Sequence, residues 1–97
     1  MNDDTPVIGR YLLPREEFER RRDAVEALAA ELRARGWWVS QAGAHLRAAR
    51  VPFGHGREIS VERGGFVWRK GGSVYRPAFA PIDDIVGAAD VVARVAG

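Results

Sequence analysis

From Arg57 to Arg76 the chain reads REISVERGGFVWRKGGSVYR, with apolar and polar residues alternating at a period of two. Such alternation is the mark of half-buried strands. Gly64-Gly65 and Gly71-Gly72 each offer the positive φ angles of a two-residue hairpin turn, so three antiparallel strands are expected. With those turns Arg63 faces Phe66, Val61 faces Trp68 and Ser60 faces Arg69. Across the second turn Lys70 faces Ser73, Arg69 faces Val74, Trp68 faces Tyr75 and Val67 faces Arg76. One face then carries Ile59, Val61, Phe66, Trp68 and Tyr75, crossed by the row Val61–Trp68–Tyr75. The other carries Glu58, Ser60, Glu62, Val67, Arg69, Val74 and Arg76. Both turns put the apolar residues on the same side, and a slip of one residue would send Trp68 to the polar side.

Before the meander the period changes to that of a helix. Phe18, Val25, Leu28 and Leu32, with Ala29 beside them, form one apolar stripe between about Pro14 and Arg35. Pro14 suits the first turn, Glu16 and Glu17 complement the positive end of the dipole, and Gly36 marks the stop. The other faces hold Glu16–Arg20, Glu17–Arg21, Arg22–Glu26 and Glu31–Arg35 at i,i+4. Trp37-Trp38-Val39-Ser40 reads as a strand, in which adjacent tryptophans point to opposite faces, so at most one joins the core. Gln41-Ala42-Gly43-Ala44 reads as a turn. His45–Val51 fits either one more strand or two helical turns, and the strand is favoured because Gly43 and Pro52 leave too little room for a stable helix. Pro52-Phe53-Gly54-His55-Gly56 is a flexible connection. Pro77 and Pro81 bracket a link into a last helix from about Ile82 to Ala96. Its polar positions, Asp83, Gly87, Asp90 and Arg94, form one stripe in which Asp90 and Arg94 can pair. Ile82, Ile85, Val86, Ala89, Val92 and Ala93 lie on one apolar side and Ala88, Val91 and Val95 on another, which leaves the second side to another molecule.

The expected architecture is therefore a single α+β domain over residues 1–97. A long helix is followed by an antiparallel sheet of three to five strands and a closing helix, both helices packed on the Trp68 face. Residues 1–5 are expected to fray, and 6–13 to form an extended apolar arm.

The chain has 97 residues, no cysteine and a net charge of +2. That length gives one core with little to spare. Without cysteine there are no disulfides, thiol nucleophiles or thiolate metal sites, which fits a cytoplasmic setting. No apolar run is long enough for a membrane span, and the acidic start does not read as a signal peptide. Charge is uneven. Residues 37–80 hold Arg47, Arg50, Arg57, Arg63, Arg69, Lys70 and Arg76 against only Glu58 and Glu62, while the helices are balanced or acidic.

Catalytic chemistry finds no support. Ser40, Ser60 and Ser73 lack a nucleophile elbow, and His45 and His55 stand apart without metal-ligand spacing. Gly54-His55-Gly56 lacks the strand-turn-helix context and the Lys-Ser/Thr of a phosphate loop. Neither a cofactor nor a metal is expected, and the chain reads as a non-enzyme. Two binding functions remain. The surplus tryptophan, the arm and the apolar last helix favour a protein-interaction or regulatory accessory module, self-associating as a homodimer, with Trp37, Trp38, Ala88, Val91 and Val95 at the interface. The alternative is nucleic-acid binding by the basic outer sheet face through Arg47, Arg50, Arg57, Arg63, Arg69, Lys70 and Arg76. Helix, three strands, helix is the order of double-stranded RNA-binding domains, but those place lysines where this chain has Asp83-Asp84.

LAAELRARGWWV, then GGFVWRKGG, then PIDDIVGAADVVARV resembles small Arg- and Ala-rich helix–sheet–helix proteins of actinobacteria. The likeness spans residues 25–96 and lies in packing positions. It implies an accessory role, some such proteins serving helix-turn-helix transcription regulators, and carries no catalytic residue across.

Overall fold

The computed structural model describes residues 7–8, 11–12, 14–71 and 73–96. Strands β1 (Val7–Ile8) and β2 (Tyr11–Leu12) pair with each other in the region expected to be an arm. The expected fraying of 1–5 falls outside the described residues. Helix α1 (Arg15–Ala34) leads into β3 (Trp38–Ala42), β4 (His45–Ala49), β5 (Arg57–Glu62), β6 (Gly65–Lys70) and β7 (Ser73–Ala80), and α2 (Ile85–Ala96) closes the chain. β3 to β7 form one five-stranded antiparallel meander in chain order, with β3 and β7 at its edges. The α+β architecture is as the sequence predicts, and His45–Ala49 is a strand.

Both helices cover the same sheet face. Val25, Leu28, Ala29 and Leu32 of α1 and Ala88, Ala89 and Val92 of α2 form one cluster with Leu46, Ala48, Ile59, Val61 and Phe66. Phe66 is the largest fully buried side chain among the described residues. Trp68 is partly buried at the margin of this cluster and stacks on Phe79, with ring centroids 4.4 Å apart.

The first hairpin of the central meander turns elsewhere than expected. Glu62 pairs with Gly65, Val61 with Phe66, Ser60 with Val67, Ile59 with Trp68 and Glu58 with Arg69. The turn is thus Arg63-Gly64, two residues off the expected register, and the inward row is Ile59–Trp68–Tyr75. A shift of two keeps every side chain on its face. Gly65 is needed for another reason. A Cβ there would overlap the Ala80 carbonyl and lie 3.1 Å from Pro81 Cα.

The second hairpin keeps its expected register at Trp68–Tyr75, Arg69–Val74 and Lys70–Ser73, but Val67 does not pair with Arg76. Residues 76–79 bulge opposite Val67, and pairing resumes at Phe66–Ala80. Pro77 therefore lies inside β7 rather than in a link. An edge strand with a bulge tolerates a residue that has no N–H. The bulge brings Phe79 against Phe66 and Trp68, and Tyr75, expected inside, is 52% exposed.

Helix α2 starts three residues later than expected. The Gly87 N–H donates to Asp84 Oδ1 at 3.0 Å, so Asp84 caps the helix. Its buried stripe includes Ala88, while Val86 is 57% exposed, the reverse of the expected sides. Asp90 pairs at 2.8 Å with Arg35, the residue that ends α1, instead of with Arg94. Those hydrogen bonds, to Asp90 first and then to Glu31, hold the Arg35 guanidinium above its ordinary pKa. Along α1, Glu17–Arg21 and Glu31–Arg35 form as expected at 2.8 and 2.9 Å. Arg20 turns to Glu17 and Arg22 to Asp23 rather than to Glu16 and Glu26. Among the described residues no helix is long and apolar enough to cross a membrane.

Candidate functional site

The end of α1 decides the fate of the tryptophan pair. Gly36 adopts φ 91°. Its N–H donates to Arg33 O and the Trp37 N–H to Leu32 O, both at 3.0 Å. These paired bonds are a Schellman stop, which sets the residue after the glycine against the last turn. Trp37 is accordingly 5% exposed, with the Arg50 guanidinium 4.8 Å from its ring centroid. β3 then begins, and alternation turns Trp38 to the opposite sheet face, where it is 57% exposed.

Trp38 pairs with Ala49, the last residue of β4, so the loop after β4 emerges beside the indole. That loop is tight, with the Gly54 N–H donating to Val51 O at 3.1 Å. Phe53 sits at φ 60°, the one non-glycine residue with positive φ among those described, and is fully exposed. Val51 is 57% exposed. Trp38, Val51, Pro52 and Phe53, with Ser40, Ala49 and Arg47, line a groove of about 640 Å³ in which Arg47 is the one charged residue. Exposed apolar groups clustered in this way mark interaction surfaces.

Next to the groove the outer face carries the cross-strand row Ser40–Arg47–Glu58–Arg69–Val74 and the row Ala42–His45–Ser60–Val67. Glu58 stands between Arg47 and Arg69. Ser60 and Val67 are buried on this face. The Ser60 hydroxyl and Arg69 Nε are buried without a hydrogen-bond partner among the described residues.

The seven basic residues singled out from sequence do not form one surface. Arg47 and Arg69 lie on the outer face. Arg57 pairs with Ala48, a core residue, and is on the helix side, which Lys70 shares by alternation with Trp68. Arg63 is in the first turn and Arg50 lies on Trp37. The Arg76 side chain falls outside the described residues. Arg57, Lys70, Trp68 and Tyr75 do line a second cleft of about 660 Å³ beside Val95.

The proposed interface residues are dispersed too. Trp37 and Ala88 are buried in the protein's own core, Val91 is partly buried, and Val95 is 48% exposed in that second cleft, away from Trp38. The exposed valines of α2, Val86 and Val95, lie nine residues apart on opposite flanks of the helix. Val51, Pro52 and Phe53 were missed by sequence reasoning. The available signal was a large aromatic side chain in a Pro/Gly turn that fits neither period.

Among the described residues no three of His, Asp and Glu come close enough to hold a metal ion. No protein-family model, curated protein or solved structure matches this chain.

Proposed function

We propose that the protein is a non-catalytic protein-interaction module that docks its partner on the groove of Trp38, Val51, Pro52 and Phe53. One observation carries the reading: Phe53 is held fully in solvent on a left-handed backbone, beside a tryptophan and a valine that are both more than half exposed. Left-handed geometry is unfavourable for a bulky side chain. Exposed aromatic groups gain most by leaving water, and aromatic anchors dominate binding energy at interfaces. An accessory role beside a regulator, which the resemblance to small actinobacterial proteins implies, uses such a surface.

The module reading survives the loss of α2 as its docking face. Val86 and Val95 on opposite flanks offer no continuous patch for a dimer face on α2. The nucleic-acid reading has less support, because Glu58 interrupts the row of Arg47 and Arg69. The double variant Trp38→Ala/Phe53→Ser tests the proposal. Native protein and variant are used as bait in host extract, and both are examined by light scattering and by DNA and RNA retention at low salt. Proteins held by the native chain and lost by the variant support the reading, whereas DNA or RNA held by the native chain and lost by the variant refutes it in favour of nucleic-acid binding. Identical retention by both, with identical oligomeric state, refutes it.

A further inference from the structure

We propose that the groove receives an extended, acidic segment of a partner protein, added as a sixth strand along the free edge of β3. The inference rests on the interaction-module reading and names the partner's chemistry.

β3 is an edge strand, paired among the described residues with β4 alone. Its five residues, WVSQA, contain no charge and no proline. Natural sheet edges are usually blunted by such residues or by bulges, because an open row of N–H and C=O groups templates further pairing. Here Arg33 takes the Val39 carbonyl, while no second strand pairs the rest of the edge among the described residues, and the exposed apolar groove runs beside it. Extended peptides use that combination: main-chain bonds give affinity and pockets for alternate side chains give specificity.

Charge chooses the occupant. The groove lining holds Arg47 and neither Asp nor Glu, the acid nearest to it being Glu58, opposite Arg47 on β5. Arg47 lines the groove, and Arg33 reaches from α1 to donate to the Val39 carbonyl at 3.1 Å, which places a second guanidinium on the edge strand. A second copy laid edge to edge would oppose these cations with their own duplicates. An acidic strand is complementary to them. Its outward side chains would run beside Trp38, Ser40 and Ala42, so an apolar residue meets the indole and Phe53 while a carboxylate meets Arg47. A single-stranded nucleic acid is also anionic and aromatic. It leaves the open backbone groups of β3 unpaired, however, and finds one cation in the groove lining where it brings a phosphate per nucleotide.

The test is selection of linear peptides from a random display library on the immobilised native protein, followed by titration of the best synthetic peptide. Selected sequences should alternate apolar residues with Asp or Glu. Binding should weaken about tenfold or more on Arg47→Ala, on Trp38→Ala and on N-methylation of alternate peptide amides, a loss of about 1.4 kcal/mol. Folding of each variant is checked by circular dichroism. Binders that lose affinity on Trp38→Ala but are basic, or that tolerate N-methylation, overturn the strand inference and leave the groove as a docking site. Tighter binding of oligo(dT) than of any peptide, abolished by Trp38→Ala, overturns the acidic-peptide inference in favour of nucleic acid. Binders indifferent to Trp38→Ala and Phe53→Ser overturn the strand inference and the docking reading together.

Discussion

Alanine at Gly65 is expected to destabilise the protein far more than alanine at Gly64, although the two glycines are neighbours in one hairpin. Gly64 has φ 97° with nothing within 4 Å of an added Cβ. Gly64→Ala therefore meets backbone strain alone, about 1–2 kcal/mol. Gly65 has φ 143°, and its added Cβ overlaps the Ala80 carbonyl and approaches Pro81 Cα to 3.1 Å. These are backbone atoms of the neighbouring strand, so relief requires β7 to move off β6 and disturb the stacking of Phe79 on Phe66 and Trp68. Adding about 1–3 kcal/mol for that overpacking gives roughly 2–5 kcal/mol for Gly65→Ala. Total stability for such a domain is about 5–15 kcal/mol, so the second variant approaches the limit of folding. At about 4–8 °C per kcal/mol, Gly64→Ala melts roughly 4–16 °C lower and Gly65→Ala roughly 8–40 °C lower. Urea unfolding followed by tryptophan fluorescence measures both, and Gly64→Asn, which tolerates positive φ better, should be milder than Gly64→Ala. Equal loss at the two positions, or greater loss at Gly64, would refute the Arg63-Gly64 turn and return the hairpin to a Gly64-Gly65 turn.

Phe66→Ala should cost about 3–5 kcal/mol in urea unfolding, more than Trp68→Ala, because the Trp68 site borders solvent and water fills part of the space left. Asp84→Ala should cost about 1 kcal/mol by losing the α2 cap, visible as a lower thermal midpoint with the fold intact. Phe53→Gly should leave stability unchanged or raise it by up to about 1 kcal/mol, since it removes an unfavourable backbone geometry and no buried contact. The Glu17 carboxyl lies below its ordinary value of 4.5, chiefly through the hydrogen bond from Arg21. Its contribution is thus fully present above that value and is lost as pH falls through the lowered one. Glu17→Gln should make the acid limb of a stability–pH profile slightly shallower.

The parts of the fold that local chemistry dictates were legible. Gly36 after the stripe of Val25, Leu28 and Leu32 marked the helix stop, and the second glycine pair gave the register of Lys70–Ser73, Arg69–Val74 and Trp68–Tyr75, though not beyond the bulge. The first hairpin was two residues off yet put Ile59, Val61, Phe66 and Trp68 on the correct face, because strand side chains repeat every second residue. What escaped depends on contacts distant in sequence. The Gly65 approach to Ala80, the bulge that carries Pro77 and Phe79, and the Arg35–Asp90 bridge, whose partners are 55 positions apart, leave no periodic trace. The start of α2 was legible in principle, since Asp84 is a favoured cap. Of the docking groove, Trp38 and Arg47 were marked in advance, Arg47 as part of a nucleic-acid face.

The exposure of Trp38 alone would be weak support for a docking site. Once the Schellman stop seats Trp37 on Leu32, strand alternation must send the next residue outward, so an exposed indole is the by-product of a buried one. Phe53 is not constrained in this way. Its loop closes through the Val51 carbonyl and the Gly54 N–H, and a smaller or polar residue would adopt φ 60° with less strain. Two large aromatic residues thus reach the same face by unrelated routes, one from the helix stop and one from a turn that does not need it. Folding accounts for the first, and the second is the residue for which a partner must supply the reason. If Phe53→Ser and Phe53→Gly change neither stability nor any association of the protein, that reason is absent and the groove is an incidental feature of the fold.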